Sequence, residues 1–232
     1  MAVVSHLNDK ELALLTMPDD TEEAPWLIMA DVQVRAVDLL KSILALHARR
    51  QRLSWYLASY LKITTARPGS GGPLDVAPDL LVAWGAERLR PSWNVSAEGK
   101  APEFVLEVAS ASSWERDAQE KPLVYEAIGV QEYAIFAPER GDGGPRLSGY
   151  RRQPQGGFTY WEPSPAGVLW STVLGLGLVE HEHIQLRAID ARGNLLPTPI
   201  ELAGAEAAAR EKLEAEVQQL RQELFRLRRE QR

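Results

Sequence analysis

Apolar residues recur along this chain with two different periods. In "DVQVRAVDLLKSILALHARRQ", Val34, Val37, Leu40, Ile43, Leu44 and Leu46 return every three or four positions. That spacing predicts an amphipathic helix from Val32 to Arg50. "LSWYLASYLKITTA" fits helix or strand, with its Ile63–Thr65 end favouring a strand, and "RPGSGGPLDVAP" reads as loop. "DLLVAW" (Asp79–Trp84) and "EFVLEVAS" (Glu103–Ser110) are short apolar runs of strand length, separated by a polar connection from Gly85 to Pro102. Within "SASSWERDAQEKPLVYEAIGV", Ser112 and Glu115 form a capping-box start and Gly129 a stop. Pro122 should kink this helix or divide it into two pieces.

"EYAIFA" (Glu132–Ala137) returns to strand, giving a strand–helix–strand crossover. Gly and Pro then recur between "LSGYRR" and "FTYWEP", as in a hairpin meander, and "HIQLRAID" with "ARGNLL" adds a strand and turn. Residues 1–30 are polar, contain Pro18 and Pro25, and read as a loosely ordered arm.

The pattern changes again near Pro199. Leu213, Val217, Leu220, Leu224 and Leu227 alternate four and three residues apart, a d-a-d-a-d seam. Glu216 with Arg221 and Glu223 with Arg228 occupy g and following e positions, an arrangement that supports a parallel two-stranded coil and hence a homodimer. The alternative is a single helix folded back on the body. Two heptads are marginal alone, so a dimer would need help from the body.

Composition narrows the class. The 232 residues fit one domain and an appendage, and the 45% hydrophobic and 25% charged fractions are those of a soluble globular protein. Seven Trp and four Phe supply a sizeable core. With no Cys, disulfides and thiolate metal sites are excluded, in keeping with a reducing cytoplasm. Neither a signal peptide nor an apolar run of about 18 residues is found, so no membrane association is expected. A net charge of −6 does not advertise nucleic-acid binding, which would have to use local basic clusters. Arg49, Arg50 and Arg52 form one, Arg88 and Arg90 another, Arg151 and Arg152 a third.

Glu107 stands inside an apolar strand, and burying its carboxylate is costly without a partner. Asp79 starts the preceding strand, and Lys121 lies on the helix that follows. If the strands are neighbours, both carboxylates meet at one point and repel, raising one pKa. A hard cation such as Mg²⁺ would relieve the repulsion, with the main-chain carbonyl of Val108 as a further ligand. It would polarise a phosphodiester, while a nearby lysine positions or deprotonates water or stabilises developing charge. Singly, each residue has a plainer reading. Asp79 alone reads as a turn cap, Glu107 as solvent-facing or paired with an arginine, and Lys121 as a surface lysine.

"PDLLVAW…EFVLEVASASSWERDAQEKPLVYEAIGVQEYAIFAP" resembles the Uma-type family of restriction-endonuclease-like proteins, within the PD-(D/E)xK nuclease superfamily. The matching residues are Pro78 and Asp79; Glu107, Val108 and Ser110; Asp117, Lys121 and Tyr125; and Gly129, Val130, Glu132 and Tyr133. The resemblance is strongest from Pro78 to Pro138 and continues more weakly through "AIDARGNLLPTPIEL". It implies an α/β fold, a restriction-endonuclease-like core with a central mixed sheet flanked by helices, over residues 31–198. The arm of residues 1–30 and a C-terminal coiled-coil helix over 199–232 complete the expected organisation. It also implies a Mg²⁺- or Mn²⁺-dependent DNA endonuclease without organic cofactor, in which Asp79 and Glu107 hold metal. Lys121 would replace the lysine usual two residues after the acid, where this chain has Ala109. Ala111, Ala134 and Ala137 also depart from the family's Pro, Trp and Asp.

Two other functions compete. A catalytically inactive dimeric adaptor on the nuclease fold would suit the acidic charge, the missing lysine and the heptads, with a DNA-associated binding protein as its variant. A glycosidase would use the same two carboxylates as an acid/base pair, but leaves Lys121 unexplained.

Overall fold

A computed structural model describes residues 31–66, 74–85, 88–141, 143–182 and 185–230. The arm expected over residues 1–30 lies outside them. The chain divides into two units, up to Leu196 and from Pro197 onward.

Helix α1 (Asp31–Gln51) buries Ala36, Val37, Leu40, Ile43, Leu44 and Ala48, one stripe at the helical period. It ends where Arg52 takes a left-handed backbone (φ 57°) and the Leu53 N–H caps the Ala48 carbonyl at 2.9 Å. The ambiguous segment that follows is two strands, β1 (Trp55–Ala58) and β2 (Ile63–Thr65). The segment read as loop before Pro78 contains a short strand, β3 (Leu74–Val76), whose Leu74 and Val76 are buried. Three residues are too few for a periodic signal, and pairing with β2 decides the conformation.

Next come β4 (Leu80–Trp84), β5 (Trp93–Asn94), the one-turn helix α2 (Val95–Glu98) and β6 (Phe104–Val108). Helices α3 (Trp114–Gln119) and α4 (Lys121–Ile128) then lead to β7 (Glu132–Phe136). The break falls at Glu120, so Pro122 stands in the first turn of α4, where its missing N–H forfeits no helical bond. Gly129 closes α4 at φ 100°. One local expectation is corrected. The N-cap of α3 is Ser113, not Ser112, and its hydroxyl caps nothing because it is bonded to Asp117 at 2.8 Å.

Strands β8 (Leu147–Arg152) and β9 (Phe158–Trp161) form the hairpin, and β10 (Val168–Ser171), β11 (Leu176–His181) and β12 (Gln185–Ile189) a second small sheet. β10 and β11 escape the sequence pattern, since "VLWSTVLGLGLVEH" shows no clean alternation. The central sheet runs β1-β4-β6-β7-β8-β9, with β6 and β7 parallel and the other pairs antiparallel. The fold is therefore mixed α/β.

Each face of this sheet carries its own core. Leu106 and Val108 point with Phe104 toward α1 and the β10–β12 sheet. Val105 and Ala109 point toward Tyr125, Tyr133 and the β2–β3–β5 sheet. Glu107, between Leu106 and Val108, belongs to the second face by strand alternation.

The C-terminal unit is one helix, α5 (Pro199–Glu230). Thr198 and Glu201 start it with reciprocal bonds: the Glu201 N–H donates to the Thr198 hydroxyl at 3.1 Å, and the Thr198 N–H to the Glu201 carboxylate at 2.7 Å. Among the described residues no helix is long and apolar enough to cross a membrane.

Candidate functional site

Strand register brings the two carboxylates together. β4 and β6 are antiparallel with Leu80 opposite Leu106. One step further along this register sets Asp79 opposite Glu107, on the same face of the sheet. An oxygen of Asp79 accepts the Val108 N–H at 2.6 Å, and the negative charge of Asp79 bears on Glu107.

The helices supply the rest. Lys121, the first residue of α4, places its ammonium 2.9 Å from Oε1 of Glu107 and 2.9 Å from Oδ1 of Asp117. The Tyr125 hydroxyl donates to the same Glu107 oxygen at 2.5 Å. Tyr133 packs 4.7 Å from Tyr125, centroid to centroid, and donates to the Asp117 carbonyl at 2.7 Å. Ser113 donates to Oδ2 of Asp117 and accepts the Ser110 N–H at 3.0 Å, tying the turn after β6 to α3.

These contacts set the electrostatics. Burial, reinforced by Asp79 and Asp117 and opposed by Lys121, pushes Glu107 up to about 8. Burial also raises Asp79, against the Val108 N–H and Lys121, which favour its anion. Desolvation alone would lower Lys121, but Glu107 and Asp117 outweigh it and hold the ammonium above its ordinary value. The cluster is closed to solvent at Glu107 and Asp117 and partly open at Asp79.

Tyr60 stands at the rim. It is 43% exposed, with a left-handed backbone (φ 55°), and its N–H donates to the Pro78 carbonyl at 3.1 Å. Desolvation first, then the negative charges of Asp79, Asp38 and Glu107, push its hydroxyl to about 12. A bulky residue with positive φ is strained and persists only where its surroundings hold it.

Of the residues expected at the site, Asp79, Glu107 and Lys121 come together. The Val108 carbonyl accepts from the Gln33 side chain at 3.0 Å. Ala109 is buried in the core and its N–H bonds to the Phe136 carbonyl, so the position two after the acid is filled by packing. Gln33, Ser113 and Tyr60 were not anticipated. A signal existed for Gln33, a polar residue four positions before Val37 on the apolar stripe of α1. None existed for Ser113 or Tyr60. Glu132, also in the motif, sits apart from the cluster: it accepts from the Thr172 N–H and hydroxyl and from Arg151 at 2.7–2.9 Å, a structural tie.

Among the described residues no group of three or more His, Cys, Asp or Glu side chains is arranged to hold a metal ion. A cation here would rest on Asp79, Glu107, a main-chain carbonyl and water. That donor set fits Mg²⁺, which commonly takes one or two carboxylates and retains several waters.

A putative nuclease of the DUF820 group from Anabaena variabilis is similar in structure, with a TM-score of 0.44 and 15% identity, covering 62% of this chain and 73% of its own. No curated protein matches the sequence. The profile of the Uma2 family, described as "putative restriction endonuclease", matches residues 28–190. The match takes in the sheet, both helices of the crossover and every residue of the carboxylate–lysine cluster, and the chain belongs to the Uma2 family.

Proposed function

We propose that this protein is a divalent-metal-dependent DNA endonuclease whose active site is Asp79, Glu107 and Lys121. The observation that carries the reading is two carboxylates set opposite one another on one face of the sheet, beside a buried ammonium that reaches Glu107 and Asp117 at 2.9 Å. Asp79, Glu107 and Asp117 against Lys121 leave the ionised cluster with excess negative charge, which suits a cation. When bound, Mg²⁺ or Mn²⁺ would polarise a phosphodiester oxygen and acidify a coordinated water. Asp79, Glu107 and the Val108 carbonyl would hold it.

Lys121 keeps its proton under the influence of two carboxylates. Its role is thus a fixed positive charge facing the negative charge that grows on the phosphoryl oxygens, not that of a base. Without a cation, Glu107 can exchange a proton near neutral pH. Tyr125 and Asp117 hold Glu107 and Lys121 in place from behind.

Incubation of the purified protein with DNA and Mg²⁺ or Mn²⁺ tests the proposal. Cleavage should vanish with chelator and fall at least about 100-fold in Asp79→Asn and Lys121→Ala, the scale of losing a transition-state charge partner. Equal cutting by wild type and both variants would overturn it.

A second reading, an inactive adaptor, is favoured by one feature. Glu107 Oε1 is already engaged by both Lys121 and Tyr125. Calorimetry separates the two: Mg²⁺ binding lost in Glu107→Gln supports the nuclease, and no heat with wild type supports the adaptor.

A further inference from the structure

The seam of α5 is the largest set of exposed apolar side chains in the described residues. Leu213, Val217, Leu220, Leu224 and Leu227 lie along one line of a 32-residue helix, with exposures from 38% at Val217 to 61% at Leu213. Every described side chain from Ala203 to Arg229 is exposed. A row of leucines left in water at alternating steps of four and three is the surface a second helix covers.

The flanking charges identify that helix. Glu216 and Glu223 occupy g positions, and Arg221 and Arg228 the e positions that follow. In a parallel pair of identical helices each g glutamate faces an e′ arginine, on both sides of the seam. An antiparallel pair would set g against g′ and e against e′, glutamate on glutamate and arginine on arginine. Val217 at one a position with Leu213, Leu220 and Leu227 at d favours two strands over three. The ion pair resolved within the helix, Arg210 to Glu214 at 2.9 Å, lies N-terminal to these charges and leaves them available.

We infer that α5 is a dimerisation helix, and that its partner is α5 of a second copy of this chain, in parallel and in register. The two N-terminal units are then joined to the same end of the coil. Whatever one unit binds, the dimer carries two copies of that site.

Sedimentation and light scattering of the full chain test this. Wild type should have twice the 25.8 kDa chain mass. The Leu220→Lys, Leu224→Lys double variant should have half the wild-type mass, with unchanged tryptophan fluorescence, because all seven Trp precede residue 197 and report only the other unit. Glu216→Arg with Glu223→Arg, and Arg221→Glu with Arg228→Glu, should each be monomeric alone and re-form a dimer when mixed. The native chain has no Cys, so Leu227→Cys supplies a single thiol that should join the two chains under mild oxidation. A monomeric wild type, a trimer, a dimer that survives the seam substitutions, or a dimer in which Leu227→Cys does not cross-link would overturn the inference.

Discussion

The ammonium of Lys121 lies 2.9 Å from Oε1 of Glu107, although fourteen positions and a helix break separate the residues. The contact forms because β6 ends facing α3 and α4, and because Pro122 starts a new helix with Lys121 as its first residue. The ammonium also holds Asp117. Removing it leaves two buried carboxylates without their cation, which generally costs roughly 3–5 kcal/mol. Lys121→Ala should therefore lower stability by about that amount at pH 9, and by less at pH 5, where Glu107 can take a proton. Urea denaturation at the two pH values measures the difference.

Glu107 gives the metal-free protein a defined pH dependence. Its pKa is about 8 in the folded chain against an ordinary 4.5. Between these values the folded chain keeps a proton that the unfolded chain has released. The stability from this group is thus complete below pH 4.5 and declines as pH rises, reaching its floor above about 8. The Tm of wild type relative to Glu107→Gln should fall across that window and level off beyond it. Mg²⁺ affinity should move the other way, rising with pH as the competing proton leaves.

Ser113 and Lys121 share one carboxylate, Asp117. Ser113→Ala removes a hydrogen bond to a charged group and should cost about 1.5–3 kcal/mol. Because Lys121 holds the other oxygen, Ser113→Ala and Lys121→Ala should not be additive. A double-mutant cycle by chemical denaturation would read a coupling of about 0.5–3 kcal/mol, and additivity would show that the Ser113 bond does not support the pair.

Gln33→Ala should act on the Val108 carbonyl. Loss of that neutral hydrogen bond costs about 1 kcal/mol in stability. If the carbonyl is a metal ligand, Mg²⁺ affinity measured by calorimetry should weaken as well, by the roughly 10–100-fold typical of groups that orient a ligand.

Gly149, in β8, is confined by its neighbours. A Cβ there would come 2.3 Å from the Tyr133 carbonyl and 3.1 Å from the Trp161 ring. Backbone cannot yield as a flexible side chain does, so Gly149→Ala should destabilise by at least about 1–3 kcal/mol in thermal unfolding.

The sequence by itself determined the local elements wherever a period ran long enough to be unambiguous. Helix α1 follows from its stripe, α5 from its uninterrupted run of helix formers, and the split between α3 and α4 from Pro122. Glu107 was legible as an anomaly, since a lone carboxylate in an apolar strand needs a partner, and Asp79 and Lys121 were legible as candidates through the motif that joins them. What the chain could not disclose was which groups meet across it. The antiparallel step that sets Asp79 opposite Glu107 depends on register between strands about 28 residues apart, a cooperative outcome of packing both faces of the sheet. Gln33, Ser113 and Tyr60 reach the cluster from α1, the turn after β6 and the β1–β2 connection. Gln33 alone left a periodic cue, as a polar residue on the stripe of α1; which groups these side chains meet is set by distance and direction, and these exist only once the tertiary structure has formed.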